Sequence, residues 1–272
     1  MSESTSAPLP DGGRLTYATS GKQGDPALLL LRPLGGSMAL WGRFAGALGK
    51  QFFVVAFDPR GVGRSSAARV PTTTLNMAQD AIALLDHLAL PRAHVFGISL
   101  GGMVASSMLI DHAARIDRVV LASTVARGLS LSRSAALRWI SAAPALLRPA
   151  REAEVVLTKR ILSRRFRTRK PEEVAKILER VRAQPASMKT LFLHLAAAAT
   201  HDARTALRRT RTPTLLLYGD RDPLIPSSAR RELASSIARG VVQTVRESGH
   251  DLTLEQPIET ALRVARFLGD AR

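Results

Sequence analysis

Short apolar runs recur along the first half of the chain, at Ala27 to Leu31, Phe52 to Phe57, Ala93 to Ile98 and Arg118 to Ser123. Their length and composition predict fully buried strands. Between them the spacing turns helical. In Leu75 to Leu90, the residues Leu75, Ala78, Ile82, Leu85 and Leu88 fall close to one face, and Leu100 to Ala113 is small and apolar all round. Gly13 to Gly21 reads as an early antiparallel strand, Thr214 to Tyr218 and Val241 to Val245 as later strands, and Ile258 to Leu268 as a closing helix. Strands that alternate with helices predict a parallel sheet covered on both sides.

From 127 to 211 the alternation stops. Helix-like segments follow one another without a strand, interrupted at Pro144, Pro149, Pro171 and Pro185. The pattern predicts a helical cap spanning 127–211, inserted into a core domain made of 1–126 and 212–272. Its apolar residues, among them Leu137, Trp139, Ile140, Leu146, Leu147, Met188, Leu191, Phe192 and Leu195, are candidates to line a pocket under the cap. Most of them are expected to pack helix on helix or on the sheet domain instead.

The densest chemical signal is Val95-Phe96-Gly97-Ile98-Ser99-Leu100-Gly101-Gly102, a Gly-x-Ser-x-Gly pattern between a strand-like and a helix-like run. Such spacing suits a turn so sharp that the serine takes a strained backbone angle and only small neighbours fit beside it. Ser99 is thereby a candidate nucleophile, and the N–H of Leu100, in the first helical turn, would point at developing negative charge.

A serine hydroxyl needs a base within hydrogen-bond reach, and the base needs a carboxylate to hold its tautomer. Among the six histidines, His250 sits between the strand-like Val241 to Val245 and the closing helix, on the same predicted sheet edge as Ser99. His87, His94, His112, His194 and His201 fall in helices or at element ends, with His194 and His201 kept as possible pocket residues. For the carboxylate, the strand-like Thr214 to Tyr218 ends in Gly219-Asp220-Arg221-Asp222-Pro223, where Asp220 and Asp222 compete. Both follow the chain order serine, acid, histidine expected along the carboxyl ends of a parallel sheet.

Composition narrows the classes. A chain of 272 residues with 46% hydrophobic content suits one α/β unit with an insertion. Cysteine is absent, which removes thiol nucleophiles, disulfides and thiolate metal sites, and no His/Asp/Glu cluster has metal-ligand spacing, so no cofactor is expected. No stretch approaches the length of a membrane span, and Met1 to Ser6 lacks a basic region and an apolar signal core, which reads as cytoplasmic. The net charge of +17 is concentrated in 127–211, where twenty basic residues stand against six acidic ones. Its densest part, Lys159 to Lys170, reads as a solvated basic face that could also attract an anionic substrate or an acidic carrier protein. With aromatics at only 4% and no recognisable binding motif, nucleic acid is not an expected partner.

Further separated motifs join the elbow. Asp58-Pro59-Arg60-Gly61-Val62-Gly63-Arg64-Ser65 resembles the Asp-x-Arg-Gly-x-Gly-x-Ser loop of α/β-hydrolases, and Gly219 to Pro226 resembles their Gly-x-x-Asp-x-x-x-Pro pattern. From Gly13 to Leu268 the chain is similar to that superfamily. The elbow, Leu34 to Trp41 and Leu84 to Leu88 look similar to its 3-oxoadipate enol-lactonase branch, whose substrate is a small dianionic lactone. The resemblance implies a mostly parallel sheet flanked by helices, with Asp222 as the triad acid, Asp220 supporting its turn, and Asp58 and Arg60 bracing a loop. By position it assigns the oxyanion-hole donors to the N–H groups of Leu34 and Leu100. Many relatives carry His-Gly where this chain has Arg32-Pro33; proline cannot donate, but the donor needed is that of the next residue. Arg32 could bind a substrate carboxylate or tie down its loop, and Trp139 and His194 are further candidates for substrate contact.

The expectation is a serine hydrolase that cleaves a carboxylic ester, lactone or thioester on a small acyl substrate through Ser99, His250 and Asp222. Two alternatives remain: an acyltransferase or thioesterase serving an acidic carrier protein, and a noncatalytic binding protein on the same scaffold.

Overall fold

The computed structural model describes residues 1–128 and 149–269. Eight strands form one sheet: β1 (Thr5–Pro8), β2 (Arg14–Ser20), β3 (Ala27–Leu31), β4 (Phe53–Asp58), β5 (Ala93–Ile98), β6 (Ile116–Ala122), β7 (Thr214–Gly219) and β8 (Gly240–Val245). Their spatial order is β1-β2-β4-β3-β5-β6-β7-β8, with β1 and β2 antiparallel to their neighbours and every pairing from β4 to β8 parallel. The helices among the described residues are α1 (Gly42–Leu48), α2 (Thr74–His87), α3 (Leu100–Asp111), α4 (Ala150–Ile161), α5 (Arg164–Arg169), α6 (Pro171–Ala183), α7 (Met188–Thr200), α8 (Arg204–Leu207), α9 (Ser227–Ser235), α10 (Leu252–Glu255) and α11 (Pro257–Gly269).

Continuous apolar runs arise because the central strands are covered on both faces. In β3, Leu29 and Leu31 belong to one core and Leu28 and Leu30 to the other, as the two-residue period of a strand requires. On the first face α2 and α3 pack through Ala78, Ala81, Leu85, Val104 and Met108. On the second, α1 and α11 supply Phe44, Leu48, Val264 and Leu268.

Some boundaries differ from the sequence expectation for visible reasons. Helix α2 opens one residue before Leu75, where Thr73 and Asn76 form a reciprocal capping box, and Leu75 on its outer side is exposed. Strand β1 carries no apolar run because it is an outer strand with three of its four residues exposed. At the opposite edge β8 leaves Val241 and Val242 about half exposed.

Between β6 and β7 the described residues carry the helices α4 to α8 and, in place of a strand, one isolated bridge between Arg127 and Asp202. Val155, Phe166, Val174, Ile177, Leu178 and Val181 from α4, α5 and α6 form a cluster of their own, joined by Leu40 from the chain between β3 and α1 and by Leu254 of α10. Of the residues singled out in this segment, Leu191 is buried and lines the cavity described below, whereas Phe192 is about half in solvent and does not line it. Leu137, Trp139, Ile140, Leu146 and Leu147 lie outside the described residues. The cations of α5 are largely solvent-facing, and Arg165 reaches Glu247 at 2.8 Å. No helix among the described residues is long and apolar enough to cross a membrane.

Candidate active site

Ser99 occupies the junction between β5 and α3 with φ 56° and ψ −119°, a positive φ that a residue with a Cβ adopts only under constraint. The constraint is visible on both sides. Its N–H donates to Ala122 O on β6 at 2.9 Å, and its carbonyl accepts from Thr124 Oγ1 at 2.8 Å. A Cβ on Gly97 would fall 2.2 Å from Gly101 O, and one on Gly101 would fall 2.2 Å from Leu31 O. The two glycines of the motif are therefore required by the approach of strand, helix and the end of β3, which presses the elbow against the loop that β3 feeds.

His250 follows β8, and its backbone N–H donates to Ile161 O at the end of α4 at 3.0 Å. Its side chain is 3% exposed, with Nδ1 at 3.1 Å from each oxygen of Asp222. Asp222 stands in the loop after β7, where its Oδ1 also accepts the Leu224 and Ile225 N–H groups at 2.8 and 3.1 Å. Burial raises the Asp222 pKa, yet the imidazolium charge and these donors outweigh it, and the carboxyl ends below its ordinary value. For His250 burial acts downward and the Asp222 carboxylate acts upward; the net displacement is upward.

Asp220, the competing acid, accepts the Ser248 N–H at 3.2 Å and does not touch the imidazole. The acid and histidine loops meet at Gly219, where a Cβ would fall 2.2 Å from Gly249 O. No side chain fits between them.

The loop after β3 carries Arg32 to Ser37. Neither the Leu34 nor the Leu100 N–H has an acceptor among the described residues, and Leu34 lines the same cavity as Ser99. The Arg32 guanidinium is buried, stacks 4.6 Å from the Trp41 ring centroid and pairs with Asp251 Oδ2 at 2.9 Å, with Thr253 Oγ1 at 3.3 Å. Its charge is thus neutralised within the protein, and it joins the root of this loop to the residue after His250. His194, on α7, lies behind the loop: its Nδ1 accepts the Gly35 N–H at 3.3 Å. Burial holds the His194 pKa down at about 4, so it is a neutral acceptor at pH 7. Asp58 accepts the Met38 N–H at 2.7 Å, and Arg60 pairs with Asp80 and Asp11 at 2.8 and 2.7 Å, so both act on loops away from the Ser99 side chain.

Ser99, His250 and Leu34 line one cavity with about 80 Å³ of room for the centre of a water-sized molecule. Its far wall comes from the helical segment: Glu154, Leu157 and Ile161 of α4, Arg180 and Val181 of α6, and Leu191 of α7. Neither Glu154 nor Arg180 stands out in the sequence, since each lies in a helix with many charged neighbours and only packing shows which way it faces. Another cohesive contact was equally hidden: buried Glu255 of α10 accepts Ser163 N at 2.7 Å and Ser163 Oγ at 2.5 Å, fastening the α4–α5 junction beside the histidine loop.

A parallel sheet with a strained serine elbow, an acid loop and a histidine loop at the carboxyl ends of β5, β7 and β8 defines an enzyme of the hydrolase class. The chain belongs to the alpha/beta hydrolase fold family, whose sequence model matches residues 26–257. It is similar to 3-oxoadipate enol-lactonase 2 of Acinetobacter baylyi, with 29% identity over 245 residues, 89% of this chain and 88% of that protein. Poly(3-hydroxyalkanoate) depolymerase of Ectopseudomonas oleovorans is 30% identical over 260 residues, covering 94% and 89%. The solved enol-lactonase of Burkholderia xenovorans superposes with a TM-score of 0.86 at 26% identity, over 98% of this chain and all of the other.

Proposed function

We propose that this hydrolase cleaves a carboxylic ester, lactone or thioester through an acyl-enzyme on Ser99. The observation that carries the reading is the cavity shared by the strained Ser99 and by His250, whose Nδ1 lies 3.1 Å from both oxygens of Asp222. With Nδ1–H held by Asp222, Nε2 of the neutral imidazole is free to take the serine proton. The Ser99 hydroxyl turns toward Nε2 in the substrate complex, where such contacts tighten.

Ser99 Oγ attacks the acyl carbon, its proton passes to His250 Nε2, and the carbonyl electrons move onto an oxygen held by the Leu34 and Leu100 N–H groups. Collapse expels the alkoxide or thiolate, which leaves with the proton from His250. Water then repeats the sequence on the acyl-enzyme, giving the acid and restoring Ser99. Residues 127–211 act as a cap over this site and 1–126 with 212–272 as the catalytic core; support comes from the helical run α4 to α8 and its place on the cavity wall. The relatives named as an enol-lactonase and as a poly(3-hydroxyalkanoate) depolymerase favour the same acyl chemistry here.

A fluorophosphonate probe tests this directly. It should label the protein at Ser99, and Ser99→Ala should abolish labelling and lower ester turnover by about 10⁴-fold or more. Undiminished turnover in Ser99→Ala would refute the reading.

A further inference from the structure

The cap wall contributes a carboxyl group that the reaction above does not use. Glu154 of α4 is 8% exposed and lines the cavity with Ser99 and His250. Its Oε2 accepts the Ala186 N–H at 3.2 Å, while no hydrogen bond or ion pair engages Oε1 among the described residues. Oε1 lies 2.8 Å from the point where a Cβ on Gly35 would sit, directly beside the residue that follows Leu34.

The geometry points to Glu154 as a specificity-determining residue whose protonated Oε1 donates a hydrogen bond to an uncharged oxygen on the substrate, an ether, oxo or hydroxyl group close to the reacting carbonyl. The assignment rests on the serine-hydrolase reading, because Leu34 is what places the carbonyl near Gly35. With Oε2 occupied as an acceptor, the proton resides on Oε1 and faces the cavity. Burial supports this state by raising the Glu154 pKa to about 8, with only one backbone donor acting against it. The other charged or titratable groups around it do not reverse that: Arg32 is paired with Asp251, His250 with Asp222, His194 is neutral on the far side of Gly35, and Arg180 makes no ion pair with Glu154. A carboxylate substituent placed here would meet a group with no charge to offer it.

The test compares butanoyl, methoxyacetyl and 3-oxobutanoyl esters of one phenol on the wild-type protein, Glu154→Gln and Glu154→Leu. Intrinsic reactivity cancels when each oxygenated ester is expressed relative to butanoyl and the ratio is compared between proteins. Loss of the donor in Glu154→Leu should lower that kcat/KM ratio about tenfold or more, whereas Glu154→Gln, which keeps an N–H donor, should retain it. In the wild type the ratio should decline as pH rises through about 8, and in Glu154→Gln it should stay flat. A merely structural glutamate would slow all esters in parallel and leave the ratios unchanged, which overturns the assignment; if Glu154→Leu does not fold, the wild-type pH arm and Glu154→Gln decide the same question. Fluorophosphonate labelling of wild-type Ser99 separates the failures: an unlabelled serine sinks the hydrolase reading, and a labelled enzyme with ratios indifferent to Glu154 sinks only this one.

Discussion

The sheet edge and the helical segment each bury a carboxyl group beside the cavity, and the two groups titrate in opposite directions. Asp222, on the edge, faces His250 and two backbone N–H groups and falls below its ordinary pKa. Glu154, on α4, has one backbone donor and rises to about 8. Burial acts upward on both; the number and charge of the donors decides which stays ionised. On the proposed reading, an anion thus stands behind His250 and a neutral acid on the wall of the cavity that His250 lines, two roles for one functional group.

The contrast can be broken most forcefully at the sheet edge. Asp222→Asn keeps the shape but favours the wrong imidazole tautomer, and kcat for a simple ester should fall by about 10³- to 10⁴-fold with the fold intact by circular dichroism. Because His250 must be neutral to act as base and the Asp222 carboxylate raises its pKa, the acid limb of the wild-type kcat/KM profile should lie above the ordinary imidazole range; a limb below that range would mean that Asp222 does not stabilise the imidazolium.

A smaller effect should appear in stability. The folded state holds the Glu154 proton more tightly than the unfolded chain, so wild-type stability from this group is full below about 4.5 and is lost as pH rises toward 8. Glu154→Gln should therefore close a few kcal/mol of the gap between denaturant stability at pH 5 and at pH 8. An unchanged gap would mean that Glu154 is ionised in the fold and the two carboxyls are alike. Smallest of all, Arg165→Ala removes a partly exposed pair with Glu247 and should cost at most about 1 kcal/mol in the same titration, since both partners keep contact with water.

Legibility in the sequence follows the range of the forces involved. The central strands were visible because both faces are buried, and Ser99 because its elbow needs glycines two residues away on either side. Thr5–Pro8 was not, because an edge strand paired on one side needs no apolar run. Asp220 and Asp222 were separable only through the resemblance to a family, since both sit in one loop and their difference is which carboxylate reaches an imidazole 28 residues away. Phe192 was a reasonable pocket candidate by composition, yet its position on α7 turns it outward. Arg32 remained ambiguous until Asp251, more than two hundred residues distant, proved to be its partner.

By itself the sequence determined the alternation of strands and helices, the break in that alternation after β6, and the sharp turn at Ser99, all of which depend on neighbours within a few positions. Only the tertiary structure decided which acid holds His250, what neutralises Arg32 and that burial raises the Glu154 pKa. Those outcomes depend on desolvation and on hydrogen-bond partners from other elements, and neither exists until the chain has closed around the cavity.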